Sequence, residues 1–372
     1  GFCSVFLCSG SAAAFAPAMP VNVGIIGTNW GAKTQVPIFR AAGLEVVALY
    51  SRRLEKAQGI CEKADIAHAF DSVEELCNCP DVDVVSITSP TYLHSEHALI
   101  ALKAGKHVLC DKPAGANVAE VEAMVAEASA RPEQFAIIDH ETRYTPAIMA
   151  ARQAILVDKA IGELRHFDLT QLMNFGSFGP NHVWWNELEK GGGILGAAGV
   201  HSIDQLQFVT GQRVESVSAT TETFVKEKRM HPKDWQTKED ETRMLPCTAA
   251  EYVAGQFRCD GGAVGTLTMS GVMSGQGGGS IYFNGDKGSA NLNGGKFELY
   301  DAKGNLVTSE EDPRLPDELR AAAGNHAGAP ALGTFNLAIA IREYLEEGKQ
   351  DALDLACSFE EGLYNQQVIG AI

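Results

Sequence analysis

The chain has 372 residues, 45% of them hydrophobic and 38 of them glycine, enough to bury a sizeable core and to fold as two domains of a soluble α/β protein. A formal net charge of -17, with no Lys/Arg-rich run, argues against nucleic acid and membrane as partners and leaves a small molecule as the expected ligand. Nine cysteines, an odd number without a CxxC pair, argue against a disulfide framework, and Cys77 and Cys79 lack the neighbouring His or Cys cluster that a zinc site needs, so no metal is expected.

Residues 1–20 are apolar, rich in small side chains and uncharged. They read as the remnant of a targeting peptide, too short to span a bilayer. Ala14-Phe15-Ala16-Pro17 is similar to the cleavage signature of plastid-directed leaders in algae with secondary plastids. A cloning artefact accounts for the segment equally well, and without it the expected location is the cytoplasm.

Across 21–142 short β-rich runs alternate with helical ones. Strands are predicted at 21–26, 45–50, 67–70, 82–88, 107–110 and 135–139, and helices at 34–42, 54–63, 73–77, 95–104 and 118–130. Gly43 and Gly105 stand where helices should stop. Right-handed crossovers make this a doubly wound parallel sheet with its ligand at the carboxyl edge of the strands. A helix at 146–157 follows, and then the pattern changes. Runs at 163–173, 213–224, 250–258, 263–270 and 280–283 alternate apolar and polar side chains, as strands of an open sheet with one wetter face do. The fold class is therefore α/β. A dinucleotide-type domain at 21–142 precedes an α+β domain at 143–372, which carries a large, mainly antiparallel sheet. The polar stretches 226–245 and 309–330 are expected as long loops, and a helix at 334–347 should close the second domain.

The first strand runs into Gly24-Ile25-Ile26-Gly27-Thr28-Asn29-Trp30-Gly31-Ala32 and then a helix. Such a turn brings backbone N–H groups at a helix start to a diphosphate, so Gly27, Thr28, Asn29, Trp30 and Gly31 are candidate cofactor contacts in a Rossmann-type site. Asn29 replaces the usual middle glycine and is expected to tolerate left-handed backbone there. The second strand ends in Ser51-Arg52-Arg53, without the acid that would take the ribose hydroxyls of NAD. Arginine pairs bidentately with a 2′-phosphate, so NADP is preferred and NAD is the alternative.

Further along stand Ser89-Pro90-Thr91-Tyr92-Leu93-His94 and Cys110-Asp111-Lys112-Pro113, and in the second half Gly191-Gly192-Gly193-Ile194-Leu195 leads to Gly199-Val200-His201-Ser202-Ile203-Asp204. With the opening turn, these segments resemble the glucose-fructose oxidoreductase / inositol dehydrogenase / rhizopine-catabolism (Gfo/Idh/MocA) family over nearly the whole chain from Val21. Asp111-Lys112-Pro113 stands for the family's Glu-Lys-Pro. The resemblance implies cofactor contacts from Ser89, Pro90, His94, Asp111 and Lys112. It places Lys112 beside the nicotinamide and the substrate hydroxyl, and makes His201 an acid/base candidate. Many members carry Asp four residues before that His, where this chain has Ala197.

Arg143 and Tyr144 could face the cleft, Trp185 could wall a sugar together with Trp184, and Asp204 could orient His201. The implied reaction is hydride transfer between a nicotinamide and a carbinol or carbonyl carbon of a sugar, polyol or cyclic diol. Asn29 and Ala197 motivate a different reading, a non-catalytic NADP-binding regulator. A glycosidase that oxidises its substrate transiently is a third. The open sheet is the expected surface of a homo-oligomer.

Overall fold

The computed structural model describes residues 20–372 except 175–178, 235, 276 and 324–327, so the expected targeting segment up to residue 19 lies outside the described residues. Six parallel strands, Asn22–Ile26, Glu45–Tyr50, His68–Phe70, Val84–Ile87, His107–Asp111 and Ala136–Asp139, lie in the spatial order 3-2-1-4-5-6. The order reverses between the first and fourth strands, which opens a crevice at their carboxyl ends. Helices cover both faces, so Val84–Ile87 is buried at every position. Val23, Ile25 and Leu49 pack with Ile38 and Phe39 of helix Val36–Ala41 on one face. On the other, Ile26, Val85 and Val108 meet Leu102 of helix His94–Lys103 and Met124 of helix Val118–Ser129. Gly43 and Gly105 end their helices at φ of 91° and 80°.

The second sheet has eight strands. Leu164–Leu172 lies near its centre, parallel to Val264–Ser270 and antiparallel to Gly278–Gly285. Phe167 and Leu169 point into the core while His166 and Asp168 face out, the period of two that the sequence displays. That inner face packs against Ile148 and Ala151 of helix Pro146–Arg152 and Leu206 and Val209 of helix Val200–Thr210.

Three expectations need correction. The stretch 309–330 is not simply a loop: the sheet, continuing past 280–283 through Gly288–Asn293 and Lys296–Asp301, takes in Leu306–Glu311, and Asp317–Ala323 is helical. Strand Leu306–Glu311 is exposed throughout, so no buried face marks it in the sequence. The stretch 226–245 is not a simple loop, because Glu227–Met230 and Met244–Pro246 join Asn181–His182 in a three-stranded sheet.

The second domain, expected as 143–372, also does not keep its C-terminal part. Leu332, Leu337 and Ile341 of helix Ala329–Glu346 belong to the first domain's core. Cys357–Ser358 pairs antiparallel with Ala136–Asp139 as a seventh strand, and helix Phe359–Ala371 packs on Val118–Ser129. Amphipathic period identifies a helix but does not say which sheet it covers. The seven described cysteines are buried and free. Among the described residues no helix is long and apolar enough to cross a membrane.

Candidate active site

The turn after the first strand is held by close packing. Gly27 has φ of 142°, and a Cβ there would lie 2.2 Å from Thr88 Oγ1; at Gly31 it would lie 2.5 Å from Ile25 Cγ2. Both positions need glycine for the strand and the helical segment to approach. Asn29 is not left-handed: among the described residues only Asp65 and Lys159 have positive φ outside glycine. Its side chain instead accepts a hydrogen bond from Lys33 Nζ at 3.0 Å.

Beside this turn, at the end of the second strand, Arg52 and Arg53 are exposed, and Ser51 is buried with its Oγ 3.4 Å from the Arg53 amide. Lys56 Nζ donates to Thr28 Oγ1. Partial burial lowers the Lys56 pKa, and the neighbouring cations Arg53, Lys233, Lys33 and Arg52 lower it further. Positive charge therefore gathers where the chain carries no acid.

His94 does not reach the crevice as a free ligand. It is buried, with Nδ1 2.9 Å from the Pro113 carbonyl and Nε2 2.7 Å from the Ser89 carbonyl. Its ring pins the Ser89-Pro90 turn to the Lys112-Pro113 loop, which corrects the expectation of a direct cofactor contact. Ser89 Oγ is itself 3.0 Å from His97 Nδ1.

Lys112 and His201 come together. Both line a cavity of about 530 Å³ at the carboxyl edge of the first sheet, with Trp30 and Asp111 from the first domain and Gln171 and Asn293 from the second sheet. Lys112 Nζ donates to the Ala197 carbonyl at 2.9 Å, which brings the ammonium to the start of the segment carrying His201. Asp111 Oδ1 accepts from the Lys112 amide at 2.8 Å. His201 is kept neutral, its pKa pushed well below the ordinary value by burial, then by the Lys112 ammonium and His140.

Three acids that the sequence reading did not single out line the same cavity: Asp139, Glu141 and Asp312. Asp139 takes a hydrogen bond from Gln35 Nε2 at 3.2 Å, and Gln35 Oε1 accepts from Ser86 Oγ at 2.7 Å. Glu141 Oε1 lies 3.9 Å from His201 Nε2. Burial first, then the Asp111 charge, raises the Asp139 pKa; burial, then Asp139, raises that of Glu141. Asp111 and Lys112 came from the family resemblance; the expectation that the ligand lies at the carboxyl edge of the strands also points to residues 139–141, so a signal for these was present in the topology.

Arg143 and Asp204, expected at the substrate, are sealed beneath the cavity instead. Arg143 Nε and Nη2 donate to the Asp204 carboxylate at 2.8 and 2.6 Å, and Nη1 and Nη2 each reach Glu361 at 3.1 Å. The guanidinium also lies 4.8 Å over the Phe208 ring. Although burial alone would raise the Asp204 pKa, Arg143 and His140 hold it well below the usual carboxylate range. Asp204 therefore serves Arg143 and Asn365, whose Nδ2 donates to it at 3.0 Å, and does not hydrogen-bond His201.

His140, Asp204 and Cys357 bring ligand-type atoms within 4.8 Å of one another, but Arg143 already supplies the cation there. Tyr144 turns toward the first core, where burial raises its pKa. Trp185 lies apart from Lys112, against a smaller hollow of about 240 Å³ lined by Asn186, Gly193 and Val225. Trp184 meets Tyr92 edge to face at 6.3 Å.

A family described as "Oxidoreductase family, NAD-binding Rossmann fold" matches residues 21–138, and the "GFO/IDH/MocA C-terminal domain" matches 149–291. An uncharacterized oxidoreductase of Synechocystis sp. is 30% identical over 283 residues, 75% of this chain and 73% of that protein. Glucose-fructose oxidoreductase domain-containing protein 2 of Xenopus tropicalis is 27% identical over 94% of this chain and 90% of its own length. Levoglucosan dehydrogenase, solved in complex with NADH and levoglucosan, shares the fold with a TM-score of 0.78 at 21% identity, covering 95% of this chain and 96% of its own.

Proposed function

Because the chain belongs to the Gfo/Idh/MocA oxidoreductase family, with its NAD-binding Rossmann fold, we propose that it oxidises a CH–OH group of a sugar, polyol or cyclic diol, or reduces the corresponding carbonyl, with NADP preferred over NAD. The observation that carries this reading is the convergence of Lys112 and His201, from different domains, on one cavity that also reaches Trp30 of the phosphate turn.

The residues present fit a dinucleotide. The glycine cradle at Gly27 and Gly31 leaves room for close backbone approach, and the cations Arg52, Arg53 and Lys56 suit a ribose 2′-phosphate. When bound, the nicotinamide supplies the hydride chemistry. The chain's own residues do the rest. Lys112 and His201 hold the reacting oxygen and move its proton, while Gln171, Gln205 and Asn293 offer polar groups to the remaining hydroxyls. A polyhydroxylated ligand such as the levoglucosan bound by the structural neighbour suits such a lining.

The test is an absorbance screen of sugars, inositols, anhydrosugars and cyclic diols with NADP and with NAD, beside a fluorescence titration of the reduced cofactors. NADPH is expected to bind about tenfold or more tighter than NADH, and replacing Arg52 and Arg53 together by Ala should erase that difference. Equal affinities in the wild type remove the NADP preference. Saturable binding with no oxidation across the panel favours a regulator, and release of hydrolysed sugar without net cofactor change favours a glycosidase.

A further inference from the structure

Building on the acid/base role just given to His201, we propose that Glu141 is its carboxyl partner, supplying from the end of the sixth strand the acid that this chain lacks at Ala197. Glu141 opens the short helical turn Glu141–Tyr144 beyond strand Ala136–Asp139. Its backbone is fixed from behind by helix Ala329–Glu346: Gly333 comes so near that a Cβ there would lie 2.1 Å from the Glu141 carbonyl oxygen. The side chain is then left to face the cavity that Lys112 and His201 line.

The other titratable groups around it are engaged elsewhere by at least one contact; Asp312, which also lines the cavity, accepts from the Ala147 amide at 2.8 Å. From the end of the fifth strand, Asp111 holds the Lys112 amide and Lys112 Nζ holds the Ala197 carbonyl. From the sixth, Asp139 takes Gln35, and the buried His140 stands edge to face with His201 at 5.4 Å between ring centres. On helix Val200–Thr210, Asp204 is paired with Arg143. Among the described residues Glu141 is the carboxyl that comes within ion-pair distance of His201 Nε2. The 3.9 Å between them is too long for a direct hydrogen bond. A substrate hydroxyl or a water oxygen about 2.8 Å from each atom, with a near-right angle at the oxygen, spans that gap.

The proton balance follows. In oxidation the carbinol O–H bond breaks and an N–H bond forms at His201 Nε2; a bound nicotinamide would supply the acceptor for the hydride and both electrons of the C–H bond. The ionised Glu141 carboxylate balances the imidazolium so formed. In reduction the N–H bond breaks and the substrate O–H forms. Burial raises the Glu141 pKa above the usual carboxylate range and keeps His201 neutral, so the two do not start as an ion pair; the oxidation runs from the form in which Glu141 has already released its proton to solvent and His201 is free to take the one from the carbinol.

The experiment needs neither substrate nor cofactor, so its outcome is independent of whether any member of the panel is oxidised. In full-length protein labelled with 13C-histidine, the His201 ring resonance, assigned by its loss in His201→Gln, is followed from pH 5 to 10. The wild type should show an inflection from Glu141 ionisation, Glu141→Gln should lose it, and Glu141→Gln/Ala197→Asp should regain one. Glu141→Asp, which keeps the acid, should shift the inflection without removing it and serves if the Gln variant does not fold. A His201 titration that superimposes on the wild type in Glu141→Gln, or is unmoved in Glu141→Asp, overturns the pairing.

Discussion

Lys112→Met is expected to lower kcat by about 10³-fold or more on any substrate that the wild type oxidises, with the affinity for reduced cofactor kept within about threefold. Methionine fills nearly the same volume but carries no proton and no charge. The side chain projects from the end of the fifth strand into the cavity, where it donates to the Ala197 carbonyl at 2.9 Å, so its loss should leave the glycine turn and the cationic cluster near Arg52 in place. Stopped-flow absorbance for turnover and fluorescence titration for binding separate the two effects. Turnover at the wild-type rate in Lys112→Met removes this lysine from the mechanism, and a parallel loss of cofactor affinity reassigns it to binding.

Arg143→Met should destabilise the fold by about 3–5 kcal/mol, read as a fall in the urea midpoint at neutral pH. The guanidinium is 2% exposed and is shared by Asp204 and Glu361, so its removal strands a fully buried carboxylate. The sign of the pH dependence follows from Asp204. In the wild type its folded pKa is depressed, so the pairing adds stability above the unfolded carboxylate value of about 4 and loses it as pH falls through the folded value. Without Arg143, burial instead raises that pKa, and the variant loses stability as pH rises above about 4. The deficit should therefore be large at pH 7 and shrink toward pH 4. Adding Asp204→Asn should recover part of it at pH 7. A deficit that is independent of pH and unaffected by Asp204→Asn would mean that Arg143 acts only through packing on Phe208.

The two predictions concern one piece of architecture. Arg143 ties the turn after the sixth strand to helix Val200–Thr210, which carries His201, and to helix Phe359–Ala371 at the end of the chain. Lys112 bonds the Ala197 carbonyl just before that helix, so the helix position that Arg143 helps to fix bears on how Lys112 and His201 approach. A residue read as a substrate contact is thus the joint that sets the cavity's shape. Its burial, unusual for arginine, is permitted by two carboxylates and an aromatic face.

Much of the first domain was legible from local pattern. The six parallel strands, the glycine stops at Gly43 and Gly105, the crevice at the carboxyl edge and the turn at Gly27 follow from side-chain period and turn chemistry, while Lys112 and His201 were marked by the resemblance of their motifs to those of the family. These are properties of neighbours along the chain, so the amino-acid order by itself determined them. Tertiary structure decided what depends on partners far apart in sequence. Arg143 meets Asp204 and Glu361 across 61 and 218 residues. Cys357–Ser358 adds a strand to the first sheet, and His94 spends both ring nitrogens on backbone carbonyls. Whether a polar side chain faces a ligand or a buried counter-charge is settled by which groups the fold brings within about 3 Å, and hydrophobic period carries no information about that choice.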